Sequence, residues 1–216
     1  MIDPRRILYR DDHLLIVHKL AGELVVRASG EGKRPLFDFL KVAHPGLRVV
    51  HRLDFATSGV LVFARTAEAL LRIRESKFAG WKKTYHALVT GELRERAGTI
   101  RKELPARTRD ILVPAVTHYR VLQSFPGVSY VEAHIETGRK HQIRQHFAAI
   151  GHPLLLDPLY GDKKADVAFQ RKFRYRRFFL HAAELSFPHP VTGEEISIKA
   201  PLPPAFEDVL KTLNGK

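Results

Sequence analysis

Apolar residues in this chain fall into short blocks, and the period within each block sorts the blocks into strands and helices. Ile7 to Tyr9 and Leu14 to His18 read as two strands around the turn-like Arg10-Asp11-Asp12, with a further turn at Ala21-Gly22. Leu36 to Ala43 predicts a short helix opening after Pro35, with Leu36, Phe39, Leu40 and Ala43 on one face, and Pro45-Gly46 ends it. Gly59 to Ala64 is a continuous apolar run of strand type. Thr66 then reads as a helix N-cap. Ala67, Leu70, Leu71, Arg74 and Phe78 share a face behind it, and Gly80 is the expected stop. Lys83 to Gly91 alternates as a strand. Arg94 to Arg109 is polar and basic with little periodicity, which predicts an exposed, solvated loop or ribbon.

Val116 to Phe125 and Val128 to Glu136 predict a hairpin closed at Pro126-Gly127. From Gly138 a helix is expected, with Ile143, Phe147 and Ile150 as its apolar stripe and Gly151 as its end. A proline-bearing loop, HPLLLDPLYGD, follows. Leu180 to Phe187 and Glu195 to Ala200 read as strands, and the tail from Pro203 as a helix with Phe206, Val209, Leu210 and Leu213 on one side. Hairpins outnumber the strand–helix–strand units that a parallel sheet needs. The expectation is one α+β domain over residues 1–216, with a mixed, mostly antiparallel sheet flanked by helices and loops. No repeat, low-complexity segment or linker divides the chain.

Charge changes this picture. Lys and Arg number 36 against 23 Asp and Glu, a net of +13. A polyanionic partner follows, and nucleic acid fits better than a membrane surface, because no basic helix carries a Trp/Phe/Leu face. The plain alternative is that the charge aids solubility. The absence of cysteine excludes a disulfide framework, a thiol nucleophile and Cys-based metal sites, and fits the reducing cytoplasm. No stretch approaches the roughly 18 apolar residues of a membrane span, and the start, MIDPRRILYRDDH, has no secretory h-region.

Candidate chemistry centres on Val50 to Thr66, VHRLDFATSGVLVFART. One acid, Asp54, stands there between basic and small residues at the lip of an apolar strand. It is positioned for chemistry, or it is a structural acid that pairs with Arg52 or caps the turn at Thr57-Ser58-Gly59. A carboxylate in a cleft needs a cation to stay ionised. Arg144, beside Ile143 on the predicted helix, can point inward to serve, or can be a surface charge; Arg52 is the other candidate. Tyr85, flanked by Lys83 and Thr84, is a core aromatic or a wall against which a base stacks. The run from Lys163 to Arg177 mixes Lys163, Lys164, Arg171 and Arg174 with Phe169, Phe173, Tyr175 and Phe178. It contacts phosphates and stacks on unpaired bases, or it is a helix with a solvated face and a buried aromatic stripe. His141, His146 and His152 lack the i,i+4 spacing and the intervening glutamate of a helical zinc site, so no metal is expected. Phosphate-binding Gly motifs are missing, and Ser58 sits in TSG rather than a GxSxG elbow.

Four segments together resemble the RluA family of pseudouridine synthases. HRLDFATSG is similar to that family's HRLDxxTSG, and KTYHALVTG to its KxYxAxVxG strand. ETGRKHQIRQHFAAIGHPLLLDPLYG and LHAAELSFPHPVTGEEISIKAPLP match two later motifs, while ILYRDDHLLIVHKLAG looks like its opening strands and KPAG turn. The match keeps the family's order over nearly the whole chain. It implies an enzyme that isomerises uridine in ribosomal or transfer RNA, with no cofactor and no metal. The glycosidic C–N bond breaks, the uracil turns, and a C–C bond forms. By this resemblance Asp54 is the catalytic aspartate, Tyr85 the ring against the target uracil, and Arg144 the basic residue paired with the aspartate. Arg52 fills the gap left by the flipped base, and Arg139 supports. Whether Asp54 attacks the ribose, attacks the base or removes a ribose proton stays open.

The chain departs from the family at three places. Leu20 replaces the proline of KPAG, Leu156 replaces the glycine before Asp157, and Lys140 replaces the threonine after GR. A left-handed backbone at position 156 would cost energy with leucine there. By the same resemblance the chain is expected to act as the catalytic domain alone, without an S4-like RNA-binding domain, with Lys and Arg loops holding RNA and a monomer sufficing. Two rivals remain: an RNA-binding or RNA-folding protein that keeps the fold without catalysis, and a glycosidase-like hydrolase. The hydrolase needs a second carboxylate at about 5–9.5 Å from Asp54, and no obvious candidate presents itself.

Overall fold

The computed structural model describes residues 2–27, 32, 34–106 and 111–215. In chain order these form β1 (Ile7–Arg10), β2 (Leu14–Lys19), α1 (Leu36–Ala43), β3 (Arg48–Val49), β4 (Ser58–Ala64), α2 (Ala67–Glu75), β5 (Lys82–Thr90) and β6 (Ala97–Arg101). They continue as β7 (Leu104–Pro105), β8 (Leu112–Val113), β9 (Val116–Phe125), β10 (Val128–Ile135), α3 (Gln142–Ala149), α4 (Lys163–Phe173), β11 (Leu180–Pro188), β12 (Glu195–Lys199) and α5 (Pro204–Leu213). The class is α+β, as the apolar pattern predicts. Two compact units result, one of residues Met1–Lys82 with Ala182–Pro201, the other of Lys83–His181 with Leu202–Lys216.

In the first unit the strand order is β1-β2-β4-β11, with β3 beside β4 and β12 beside β11. β4 is buried along its whole length, so it needs apolar side chains on both faces, which its unbroken run supplies. Val60, Val62 and Ala64 face a core shared with Leu14 and Ile16 of β2, Ala69 and Ile73 of α2, and Trp81. Leu61 and Phe63 point the other way, onto Leu15 and Val17 of β2 and Leu36 and Leu40 of α1. This period-2 division explains where α2 lies. The expected face holds at Leu70 and Phe78, which pack against this core, and is corrected elsewhere: Ala69 and Ile73 are its buried centre, and Ala67, Leu71 and Arg74 are exposed. Thr66 caps α2 as expected, its Oγ1 accepting from Ala69 N at 3.1 Å. The helix stops at Glu75 rather than running to Gly80, because Lys77 and Phe78 turn left-handed.

In the second unit the strand order is β5-β10-β9-β6. β10 pairs antiparallel with β5 and with β9, and β6 pairs antiparallel with β9. The β9–β10 hairpin turns at Pro126-Gly127, with Gly127 left-handed. One core joins Leu88, Phe125 and Val128 to Phe169 of α4 and to Phe206 and Val209 of α5. The expected loop or ribbon at Arg94 to Arg109 is a mostly exposed ribbon in its middle part. Its middle is β6, where only Ile100 is buried and Gly98 makes room for the Tyr119 ring 2.8 Å from where a Cβ would stand. Residues 107–109 lie outside the described residues. The expected stripe on α3 holds for Ile143 and Phe147, while Ile150 is exposed.

Candidate active site

Asp54 sits half-buried in the connection between β3 and β4, in the first unit. Backbone holds its turn closed, with Thr57 N donating to Asp54 O at 3.1 Å. Lys19, at the end of β2, grips the same loop from beneath. Its ammonium is fully buried and donates to Phe55 O at 3.1 Å, to Thr57 O at 2.6 Å and to Leu20 O at 3.0 Å. Three carbonyls match the three protons of an ammonium, the arrangement a buried lysine needs. Gly22 N adds a bond to Phe55 O at 2.7 Å. On the other side, Val62 N donates to His51 Nε2 at 3.1 Å, so His51 ties the start of the loop to β4. Gly59 completes the frame: a Cβ there would stand 2.1 Å from Ala182 O, and its φ is +117°. Only glycine fits. Arg52, two residues before Asp54, is exposed.

Tyr85 and Lys83 stand on β5 in the second unit, half-buried. Alternation puts both on one face of the sheet. Tyr85 lies opposite Ala133, and Ala133 opposite Tyr119, whose ring packs 5.6 Å from that of Phe147 on α3. Burial lowers the Lys83 pKa from the ordinary lysine value.

Arg144 points inward from α3 and is almost fully buried, which removes the surface-charge reading. Within its unit its guanidinium is held by Asp157 in a two-pronged pair, Nε to Oδ2 at 2.6 Å and Nη2 to Oδ1 at 2.8 Å. Phe178 and Tyr160 lie against the guanidinium at 4.5 and 5.2 Å. Tyr160 also bonds His141 Nδ1 at 3.1 Å. Burial alone would raise the Asp157 pKa. The Arg144 bonds and the amides of Leu159 and Tyr160 outweigh it and hold the carboxyl below the usual range. Motif and spacing assign Asp157 no role, although an acid inside LLLDPLY needs a buried partner.

Gln142 is a second residue that sequence reasoning misses. Its Oε1 accepts from Thr137 Oγ1 at 2.7 Å and Arg139 N at 3.1 Å, while Nε2 donates to Val116 O at 2.9 Å. This buried amide fastens the Thr137-Gly138-Arg139 turn to β9; the Arg139 side chain stays exposed. Lys140 is likewise exposed ahead of α3, and Leu20 is exposed on its turn. Leu156 is left-handed, φ +64°, as the departure there anticipates.

The basic run takes the form of its plainer reading, a helix with a solvated basic face and a buried aromatic stripe. α4 starts at the Asp162 cap, and Lys163, Lys164, Arg171 and Arg174 are exposed. Its aromatics do not stack outward. Phe169 and Phe179 are core residues, and Phe173 and Tyr175 pack against them. The strip therefore offers cations rather than open ring planes. The three histidines serve separate partners: His141 meets Tyr160, His146 Nε2 meets Lys102 O at 3.3 Å, and His152 Nδ1 meets Thr90 O at 2.8 Å. Among the described residues no group of three His, Asp or Glu side chains is arranged to hold a metal.

A family model described as RNA pseudouridylate synthase matches residues 13–149, a span that includes Asp54, Tyr85 and Arg144. Ribosomal large subunit pseudouridine synthase D of Nitrosomonas europaea is 38% identical over 98% of this chain and 66% of its own length. The protein of the same name from Zymomonas mobilis is 35% identical over 97% of this chain and 73% of its own. Among solved structures, human RNA pseudouridylate synthase domain containing 4 superimposes with a TM-score of 0.81 at 27% identity, covering 97% of this chain and 93% of that one.

Proposed function

We propose, for a chain that belongs to the RNA pseudouridylate synthase family and is an RNA-modifying isomerase, that its substrate is a uridine of large-subunit ribosomal RNA and that Asp54 carries the reaction. The substrate reading rests on the relatives' names, which specify the large ribosomal subunit. The observation that carries the assignment of Asp54 is its loop, clamped by Lys19, His51 and Gly59 so that the backbone bearing the acid is fixed while the residue stays half-buried.

In this reading residues 1–216 act as one catalytic domain, working as a monomer. The target base leaves its stack, at a cost of a few kcal/mol that basic contacts and an aromatic wall offset. Tyr85 supplies that wall. Arg52, exposed on the same loop, fills the space the base vacates. Arg144 supplies fixed positive charge, and Lys83, Arg139, Lys163, Lys164, Arg171 and Arg174 engage phosphates. With Asp54 acting, the bond from ribose C1′ to N1 breaks, uracil turns, and C1′ bonds to C5. The C5 proton leaves and N1 gains one, so the isomerisation balances without a redox partner.

The test is a map of pseudouridines in total RNA from cells with the gene, without it, and with Asp54→Asn restored. A large-subunit ribosomal site present only with the wild-type gene supports the reading. A site lost from transfer RNA instead overturns the substrate, and full modification by Asp54→Asn overturns the assignment of the acid.

A further inference from the structure

Leu156 is buried among the apolar residues of the second unit, yet its backbone is left-handed at φ +64°. Such a conformation is unfavourable for a branched side chain and needs something to hold it. The neighbouring first turn of α4 supplies that hold: Asp166 Oδ1 accepts the Leu156 amide at 2.6 Å. The next residue is Asp157, the carboxylate that grips Arg144. Gly161 closes the loop, its amide donating to Asp157 O at 2.9 Å, and a Cβ at Gly161 would stand 2.7 Å from Asp166 Oδ2 and 2.4 Å from Asp157 O. The loop from Leu156 to Gly161 is thus shaped around one buried carboxylate.

We propose that Asp166 is a positioning residue for the active site, holding Leu156 left-handed so that Asp157 points at Arg144. Asp166 touches neither Arg144 nor substrate in this scheme; its influence passes along two residues of backbone. Leucine at 156 makes the bond necessary. A glycine would hold the same φ without strain and would make Asp166 dispensable for the loop's shape. The proposal rests on the role given to Arg144 above.

That dependence makes a mutant cycle decisive. Tritium release from C5-labelled total RNA of cells lacking the gene is measured in single turnover. The chains compared are wild type, Asp166→Ala, Asp166→Asn, Leu156→Gly, the Asp166→Ala/Leu156→Gly double variant and Arg144→Ala, all below their unfolding midpoints. Asp166→Ala is expected to lower the rate at saturating RNA about ten- to hundredfold, the scale of an ångström-level displacement, with the RNA affinity unchanged. Asp166→Asn, which keeps an acceptor oxygen, should lose less.

Leu156→Gly empties part of the core and lowers the melting temperature, but it keeps the rate. In the double variant it restores the rate to within about threefold of wild type, a non-additivity expected only of coupled residues. A merely structural Asp166 predicts the opposite: the double variant, the least stable chain, would also be the least active. That result, or a wild-type rate in Asp166→Ala while Arg144→Ala is impaired, overturns the inference alone. A wild-type rate in Arg144→Ala overturns both the inference and the role of Arg144.

Discussion

The loop bearing Asp54 and the loop bearing Asp157 are both held in strained or crowded backbone, but with opposite chemistry. At Asp54 a buried cation, Lys19, draws three backbone carbonyls together, and a glycine allows two chain segments to approach. At Asp157 the clamps are carboxylates: Asp166 takes an amide, and Asp157 itself takes two amides and a guanidinium. In the first arrangement the clamp grips the backbone around the acid, and Asp54 is half-buried. The second consumes its acid in structure and leaves a buried guanidinium as its product. Two aspartates in one protein therefore stand in different surroundings, and surroundings rather than residue type set what a carboxylate can do.

The largest effect should come from breaking the cationic clamp. Lys19→Met removes three hydrogen bonds, and for the buried Thr57 carbonyl the loss is about 1–3 kcal/mol. The expected outcome is loss of the cooperative unfolding transition of the first unit, or a chain folded but inactive, read by urea unfolding alongside tritium release. A stable, active Lys19→Met chain would break the comparison.

Asp157→Asn comes next. It takes the two-pronged carboxylate away from a buried guanidinium, at a cost of up to about 3–5 kcal/mol. The same substitution should alter pH dependence. The folded pKa of Asp157 lies below its unfolded value, so its stability contribution is complete above the ordinary carboxylate range and is lost as pH falls through the depressed value. Asp166 has the opposite sign. Burial raises its pKa, with the Leu156 amide opposing and Asp162 and Asp157 adding, so its charged form weakens the fold, and that penalty is relieved as pH falls. Unfolding free energy measured down the acid range should therefore fall less steeply in Asp157→Asn than in wild type, and more steeply in Asp166→Asn.

The smallest effect on stability, and the one that sharpens the contrast between site and surface, belongs to α4. Changing Lys163, Lys164, Arg171 and Arg174 to Gln should leave the melting temperature in place. RNA affinity should weaken, with the slope of log affinity against log salt flattened by about 0.7–0.9 for each phosphate that the protein no longer neutralises. An unchanged slope would assign the RNA to another surface.

What is legible in the sequence follows from range. α1 runs over Leu36–Ala43 as the apolar period predicts, and the β9–β10 hairpin follows from its turn, because both are set by neighbours in sequence. β6 reads in sequence as no more than a loop or ribbon, since its outward positions are small or polar and its glycine serves a tyrosine 21 residues away. The buried face of α2 differs from the expected one by a residue or two, because nine residues fit two stripes equally and the β4 core decides between them. At the site, motifs single out Asp54, Tyr85 and Arg144. They are silent on the roles of Lys19, Asp157, Gln142 and Asp166, since a clamp is defined by which carbonyl or amide lies opposite it, and that partner stands as far as 38 residues away in sequence.

The central claim is that Asp54 is the chemical group and that the surrounding clamps exist to present it. The most direct measurement compares wild type with Asp54→Asn in C5 tritium release and in RNA binding on the same RNA, with melting temperature recorded for both. The expected result is no release from the variant, with RNA affinity and melting temperature close to wild type, because asparagine keeps the shape of aspartate and Lys19 and His51 hold the loop through backbone groups. Release at the wild-type rate from Asp54→Asn would contradict it.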